Sequence, residues 1–238
     1  MAQSQDLPTV AGSATLGGIV AERPETAALF ERFGLDYCCG GRQTVEEACR
    51  SRGFNPTTVA AILAALEEDI PAGSLAVHDL RDASVDELCE HILKEHHGPL
   101  RENLRRISQL LAKVICAHGD EDPDLYQLEI HFNRTRSKLE DHMRVEEESL
   151  FPACRALARD DEFRADDELL AQLEDTHAAT GEALRRLRGL GHGYRAETAY
   201  CTTHRVLLHE LDRFERDLHL HIHEENNILF PKVHTREG

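Results

Sequence analysis

Two eleven-residue stretches decide how this chain is interpreted: HMRVEEESLFP, from His142 to Pro152, and HIHEENNILFP, from His221 to Pro231. In each stretch a Glu follows the first His by four residues (Glu146 and Glu225), and Leu-Phe-Pro ends the stretch. Residues four apart on an α-helix lie on one face, with their side chains about 6 Å apart. Each His and Glu can therefore point at one spot, and the two stretches are predicted to form halves of a metal site in a helical bundle.

The second half of the chain carries four long helical patterns, with apolar residues at alternating steps of three and four. Leu, Ala, Arg and Glu are abundant and β-branched runs are scarce, which also favours helix. The breaks at Gly119–Pro123, near Arg159–Asp161 and at Gly189–Gly193 are short, so consecutive helices should be antiparallel neighbours. The sequence predicts an all-α fold built on an up-down four-helix bundle.

Polar residues stand on these apolar stripes where only apolar ones are expected. His97 occupies such a position on the first stripe and His177 on the third. At 1.5 Å per residue, their distances to the breaks put them within about a turn of the other ligands. In the last hairpin, the distances of His177 and His221 from the break agree less well. A long loop or an overhanging fourth helix would account for this difference. The six predicted ligands are His97, His142, Glu146, His177, His221 and Glu225.

Six ionisable groups in one dry layer cost several kcal/mol per charge unless something pairs them, and a metal removes that cost. Four imidazoles and two carboxylates can serve two ions, with two His on each ion and both Glu bridging. This donor set suits iron, manganese or zinc and excludes a thiolate-type site. Two bridging carboxylates with spare coordination positions fit a non-haem di-iron centre best, so two iron ions are the expected cofactor.

A smaller helical domain is predicted ahead of the bundle, over residues 15–70, with the bundle over residues 80–238. Gly34 should end one of its helices, and Thr44 with Glu47 should form a capping box at the start of another. Between them lies Asp36-Tyr37-Cys38-Cys39-Gly40-Gly41, which the glycines mark as a loop. Its adjacent thiols are accessible to a metal, to a partner thiol or to oxidation, and a packed turn is the alternative.

Charge and cysteine usage exclude several classes of protein. The net charge of −17 leaves no basic surplus for a nucleic-acid or anionic-membrane partner. Seven scattered Cys do not form a disulfide framework, and no stretch has the pattern of a signal peptide or the length of a transmembrane helix. A reduced, cytoplasmic protein is expected. The sequence leaves the oligomeric state open, with a homodimer as one option.

The bundle resembles the hemerythrin-like domain, and the stretch from Asp36 to Gly41 resembles the N-terminal domain of the iron–sulfur cluster repair di-iron proteins. The resemblance covers about residues 15–233, and the family pattern places iron ligands at the same six positions. It implies a protein that restores iron–sulfur clusters damaged by nitric oxide or peroxide, by iron donation or by reduction of nitric oxide at the di-iron centre. Damaged iron–sulfur proteins would be its partners, and nitric oxide or O2 its small ligands.

The adjacent thiols of the cysteine loop suggest a role in the same repair. Cys38 and Cys39 are predicted to be catalytic, by delivering reducing equivalents or contacting the damaged cluster. Whether the chain is an enzyme stays open, with reduction of nitric oxide as the candidate reaction. Two alternatives remain: a sensor or carrier of O2, nitric oxide or iron, and a metal-free bundle that acts as an interaction module.

Overall fold

The computed structural model describes residues 14–69, 80–157 and 167–234, and every regular element in these ranges is a helix. One isolated β-bridge joins Thr15 and Thr44. The all-α prediction is confirmed. By its contacts the chain separates into two compact units, one formed by the described residues up to Ala83 with the segment His223–Ile228, the other by Ser84–Ile222 with the residues from Leu229 onward.

Four helices make up most of the first unit: α1 (Leu16–Glu22), α2 (Ala27–Phe33), α3 (Val45–Ser51) and α4 (Pro56–Asp69). Gly34 ends α2 in the left-handed conformation at φ 64°, which glycine adopts without a Cβ penalty. Thr44 and Glu47 form the predicted capping box at the start of α3. These local interactions set the end of α2 and the start of α3, the two helices that flank the cysteine loop.

The second unit contains the bundle, and three of its helices contain a short π-helical segment. The first bundle helix is α5 (Val85–His91), π1 (Ile92–His97) and α6 (Gly98–His118); the second is α7 (Asp124–Val145), π2 (Glu146–Leu150) and α8 (Phe151–Leu157). The third is α9 (Asp167–Leu190). The fourth is α10 (Thr202–Glu224), π3 (Glu225–Leu229) and α11 (Phe230–Val233), a continuous helix whose segment His223–Ile228 counts with the first unit.

The predicted apolar stripes line the core of the bundle. Helix α7 packs against both α6 and α9, as expected for consecutive antiparallel helices. The fully buried stripe residues include Leu104, Ile107, Leu111, Val114, Leu128, Phe132, Leu170, Leu184, Leu187 and Leu211. Burying a Leu or Phe side chain contributes about 1.5–3 kcal/mol, so these stripes account for much of the stability of the bundle.

The breaks between bundle helices match the sequence where they can be compared. Helix α6 ends at His118 and α7 begins at Asp124, around the predicted Gly119–Pro123 break. After Leu190 the chain makes two 3₁₀ turns, His192–Tyr194 and Ala196–Thr198, before α10 starts at Thr202. This is the long loop expected in the last hairpin. The predicted break near Arg159–Asp161 and the linker after residue 70 lie outside the described residues.

The π segments have a cause in the sequence, because each is followed by a proline. Pro99, Pro152 and Pro231 stand at the second residue of the α segments that follow π1, π2 and π3. A proline ring has no N–H to donate and collides with the carbonyl four residues earlier in a regular α-helix. The wider turn relieves this: the N–H of Gly98 donates to Leu93 O, and that of Phe151 to Glu146 O, five residues back in both cases.

No helix within the described ranges combines the length and the hydropathy that a membrane span requires.

Candidate metal centre

The six predicted ligands come together in the structure. Their side chains form two overlapping groups, His97, Glu146, His221 and Glu225 in one, and His142, Glu146, His177 and Glu225 in the other. Within each group, one ligand atom from every residue lies within 4.8 Å of the others. Both glutamates belong to both groups, and all six residues are buried.

Glu146 lies between the two sets of histidines. Its Oε1 is 2.8 Å from Nε2 of His142 and 3.8 Å from Nε2 of His177. Its Oε2 is 3.4 Å from Nε2 of His97. One carboxylate oxygen therefore faces His142 and His177, and the other faces His97.

The four histidines of the cluster form two pairs. Nε2 of His142 lies 2.9 Å from Nε2 of His177. Two nitrogen ligands at about 2.1 Å from one ion and at right angles are about 3.0 Å apart, so this separation fits a shared ion. The rings of His97 and His221 form the second pair, with centroids 5.0 Å apart. The donors are imidazole nitrogens and carboxylate oxygens, which fit a transition-metal cation.

The electrostatics of Glu146 also favour a cation. Burial acts to raise the pKa of this carboxyl, but the contacts with His142, His177 and His97 outweigh burial and hold its pKa well below the ordinary value. The carboxylate is therefore an anion in a dry layer. A buried anion is costly unless positive charge lies beside it.

Glu147 supports one of the histidines, and the sequence interpretation missed it. Nδ1 of His97 donates to Oε1 of Glu147 at 2.7 Å, and Nη2 of Arg101 donates to the same oxygen at 2.8 Å. Burial opposes ionisation of Glu147, but these two hydrogen bonds lower its pKa below the ordinary value. Since a carboxylate only accepts, Nδ1 of His97 carries the hydrogen and Nε2 is left to bind a metal.

The Leu-Phe-Pro endings place an aromatic ring against a histidine of another helix. Phe151 stacks on His97 with ring centroids 5.6 Å apart, and Phe230 stacks on His177 at 5.9 Å. Each ring fixes the orientation of one imidazole and excludes water from one side of the cluster. The repeated ending therefore supplies both the proline that follows a π segment and the phenylalanine that covers a histidine.

Two further histidines lie next to predicted ligands in the sequence. His96 is half-buried and stacked on His221 with ring centroids 5.1 Å apart. His223 follows His221 by two residues. It belongs to the first unit, where its buried ring packs edge-on against Tyr37 at 5.6 Å.

The cysteines are separate from the histidine and glutamate groups. Cys38 is buried and Cys39 is half-buried, and the structure groups both with Asp36. The catalytic role of Cys38 and Cys39 stays a prediction. The other five cysteines differ in exposure: Cys49, Cys89 and Cys154 are buried, Cys116 is exposed and Cys201 is half-buried.

Two family descriptions match this chain. Residues 89–233 match the Hemerythrin HHE cation binding domain, and residues 12–67 match ScdA_N, a Domain of Unknown function (DUF542). All six residues of the cluster, from His97 to Glu225, lie within the first of these ranges, residues 89–233. Metal binding by the bundle is thus supported by its family as well as by its donor groups.

Similar proteins cover nearly the whole chain. The Iron-sulfur cluster repair protein YtfE of Musicola paradisiaca is 30% identical over 219 residues, which is 92% of this chain and 95% of that protein. The Iron-sulfur cluster repair protein ScdA of Staphylococcus haemolyticus is 29% identical over 214 residues, or 90% of this chain and 95% of that protein. The similarity therefore extends across both the small domain and the bundle.

Proposed function

The chain belongs to the family of iron–sulfur cluster repair proteins with a hemerythrin HHE cation-binding domain, and from this premise we propose that it repairs damaged iron–sulfur clusters with a pair of iron ions. His142 and His177 would hold one ion and His97 and His221 the other. Glu146 and Glu225 would be shared between the two. The clients would be iron–sulfur proteins damaged by nitric oxide or oxidants.

The position of Glu146 is the observation that supports this assignment most directly. Its two oxygens approach histidines of different pairs, at 2.8 Å from His142 and 3.4 Å from His97. A single-ion site would need only one of these approaches. The membership of Glu146 and Glu225 in both groups of ligand atoms supports the same assignment.

Two ferrous ions can supply two electrons and bind small ligands such as nitric oxide, and iron itself is the cargo if repair proceeds by donation. The protein groups control access and orientation. Glu147 and Arg101 hold the His97 ring with Nε2 facing the cluster. Phe151 and Phe230 cover the rings of His97 and His177 and keep that side of the cluster dry. A fixed, water-poor site lowers the cost of reorganisation when charge changes at the metal.

A groove between α7 and α9 offers an approach to this cluster. Thr135, Thr176 and Thr180 line it together with His142. His142 is also the most exposed of the six, with 7% of its surface accessible. A small ligand would reach the cluster from the side of His142 and His177.

Cys38 and Cys39 would act in the same repair, by delivering reducing equivalents or by contacting the damaged cluster. Their half-buried loop leaves Cys39 within reach of solvent and of a partner. A protein with both cysteines changed to serine should keep its bundle iron and lose repair. Unchanged repair would refute this role.

Reactivation of a nitrosylated iron–sulfur dehydratase tests the proposed function. Wild-type protein should restore its activity, whereas Glu146→Leu should not, because it removes the shared carboxylate. Glu148→Leu is the matched control, since Glu148 lies two residues away with its side chain 65% exposed. Failure of the wild type, or equal repair by Glu146→Leu, would contradict the proposal.

The same assay separates the two routes of repair. Transfer of labelled iron from the protein into the restored cluster supports iron donation. Formation of nitrous oxide in step with reactivation supports reduction of nitric oxide. Binding of nitric oxide without either product would favour a sensor in place of a repair protein.

A further inference from the structure

Two thiols and a carboxylate meet at one point of the loop between α2 and α3, inside the first compact unit. Sγ of Cys38 lies 3.8 Å from Sγ of Cys39 and 3.3 Å from Oδ1 of Asp36. One ligand atom from each of the three residues lies within 4.8 Å of the other two. Two thiolates bound at about 2.3 Å to one tetrahedral ion are about 3.8 Å apart, so the two sulfurs already have the separation of shared ligands.

We propose that Asp36, Cys38 and Cys39 form a second metal site, which binds one thiophilic divalent cation, iron(II) or zinc(II). It differs in chemistry from the bundle cluster, whose grouped donors are histidines and glutamates. Binding turns both thiols into thiolates, releases two protons to solvent and changes no oxidation state. This site does not depend on the proposed repair function.

The hydrogen on Cys38 indicates where the cation would bind. The Cys38 thiol has one hydrogen and two acceptors, Oδ1 of Asp36 and Sγ of Cys39. The hydrogen bond with Cys39, burial and the nearby Asp36 all raise the pKa of Cys38, so the loop opposes a bare thiolate. A divalent cation in place of the proton is attracted by all three donors, and its charge stabilises the Cys38 thiolate.

The rest of the loop holds these donors in position. Oδ1 of Asp36 accepts from the N–H groups of Cys39 at 2.9 Å and Gly40 at 3.1 Å. Nδ2 of Asn227 donates to the carbonyl of Cys38 at 3.0 Å. A Cβ at Gly40 would lie 2.7 Å from the carbonyl oxygen of Asp36, so only glycine lets the loop close on this carboxylate. A metal would bind with little further ordering of the backbone.

Three protein ligands leave one position of a tetrahedral ion open. Structural zinc sites use four protein ligands, whereas sites that bind an exchangeable group keep the fourth position for it. Cys39 is half-buried, which leaves one side of the proposed site accessible. The site is thus suited to a cation that is loaded and released through the open position.

Cobalt(II) is the probe for the first test, because a cobalt–thiolate bond gives a charge-transfer absorption that His and Glu ligands do not. The full chain, reduced and kept anaerobic with its bundle already loaded with metal, is titrated with cobalt(II). We expect one equivalent to bind with thiolate absorption, and Cys38→Ser and Cys39→Ser each to lose it. Cys49→Ser should keep it, since this buried thiol of the same unit lies outside the Asp36 group. Wild-type protein without the absorption, or both serine variants with it, would overturn the site.

Competition and a charge change test the ligand set. Displacement of cobalt by iron(II) or zinc(II) supports the site, and displacement by neither overturns it. Asp36→Asn keeps an oxygen that can accept from Cys39 N–H but removes the negative charge, so cobalt affinity should fall at least tenfold. An unchanged affinity would remove Asp36 from the site.

X-ray absorption of zinc-loaded wild-type protein does not depend on any variant folding. Sulfur neighbours at about 2.3 Å support the site, and a zinc environment of only nitrogen and oxygen overturns it. Glu146→Leu should retain the cobalt–thiolate absorption whether or not it repairs clusters. Failure of the repair function is therefore distinguishable from failure of this site.

Discussion

The two repeated stretches, His142–Pro152 and His221–Pro231, have the same residue at five of their eleven positions and different residues at the other six. Both place a Glu four residues after the His, and both change from α to π helix at that Glu. Both carry, just before the final Pro, a Phe that stacks on a histidine of another helix. The shared positions are the ones that build the candidate metal centre.

Two of the six differing positions directly follow the Glu, and there the side chains make different contacts. In the first stretch, Glu147 accepts from Nδ1 of His97, and the next residue, Glu148, is exposed. In the second stretch, Asn226 donates to the carbonyl of Cys38 at 3.3 Å and Asn227 donates to the same oxygen at 3.0 Å. One stretch uses these positions to orient a ligand histidine, and the other uses them to hold the cysteine loop of the first unit.

The π turn, the predicted ligand pair and the aromatic ring over a histidine occur in both stretches together with the five shared residues. The residues between them are then available for a second task. In the second stretch the same π segment carries Glu225 and Asn227, so a predicted metal ligand and the support of the cysteine loop are two residues apart. A change of backbone at π3 would affect both.

The largest expected effect is loss of metal from variants at the shared carboxylates. Glu146→Gln and Glu225→Gln should each weaken binding by more than the roughly 10–100-fold typical of a change to an outer partner of a ligand, because each removes an anion from both groups. Metal per chain, measured after anaerobic loading and dialysis, checks this. Glu148→Gln is the control and should load normally. Normal metal loading of either glutamate variant would show that Glu146 and Glu225 do not have equivalent roles in metal binding.

The next effect tests the first difference between the stretches. Glu147→Gln should weaken metal binding by about 10–100-fold, because the carboxylate that fixes the tautomer and orientation of His97 is lost. The matched change, Asn226→Ala, should weaken it much less, since Asn226 donates to the carbonyl of Cys38. Competition with a chelator measures both. Equal losses would mean that the position after the Glu has one role in both stretches.

The grouping of the six predicted ligands could be foreseen from the sequence, because helical periodicity is a local property. Histidines on an otherwise apolar stripe, such as His97 and His177, are conspicuous without any knowledge of their neighbours. The level at which they meet follows from the rise per residue and the position of the breaks. The long loop after Leu190 is one of the two alternatives expected for the last hairpin, the other being an overhanging fourth helix.

The supporting contacts could not be predicted in the same way. Glu147 lies 50 positions from His97 in the sequence, and nothing local marks it as a partner in a run of three glutamates. The link from Asn227 to Tyr37 and Cys38 spans about 190 positions. The π segments did leave a signal, since Pro99, Pro152 and Pro231 all follow one, but a proline within a helical pattern equally predicts a kink or an end.

A smaller effect on stability tests the second difference. Asn227→Ala removes donors to the carbonyls of Tyr37 and Cys38 and should destabilise the first unit by about 1–3 kcal/mol. The matched change, Glu148→Ala, alters an exposed side chain and should stay within about 0.5 kcal/mol. Denaturant unfolding, with hydrogen exchange at the α1 and α3 amides to locate the effect, checks both. Equal stability of the two variants would remove the structural role assigned to Asn227.

The smallest expected effect depends on Gly17, which packs against the Asn227 side chain. A Cβ at Gly17 would lie 2.4 Å from Oδ1 of Asn227 and 2.7 Å from its Cγ. Overpacking of this kind costs about 1–3 kcal/mol. Gly17 is in α1, where alanine is favoured over glycine by about 1 kcal/mol, so the net loss in Gly17→Ala should be near 1 kcal/mol.

The sign of this effect should change when Asn227 is shortened. In the Asn227→Ala background the two closest atoms are gone and the next neighbour is Gly41 O at 3.1 Å, so Gly17→Ala should become neutral or stabilising. Gly189→Ala is the control, because no atom lies within 4 Å of its added Cβ and its effect should be the same in both backgrounds. A double-mutant cycle measures the coupling, because it isolates the pairwise term from the two single changes. Zero coupling would mean that the first unit relaxes around Asn227, and that the second stretch holds the cysteine loop less tightly than its hydrogen bonds indicate.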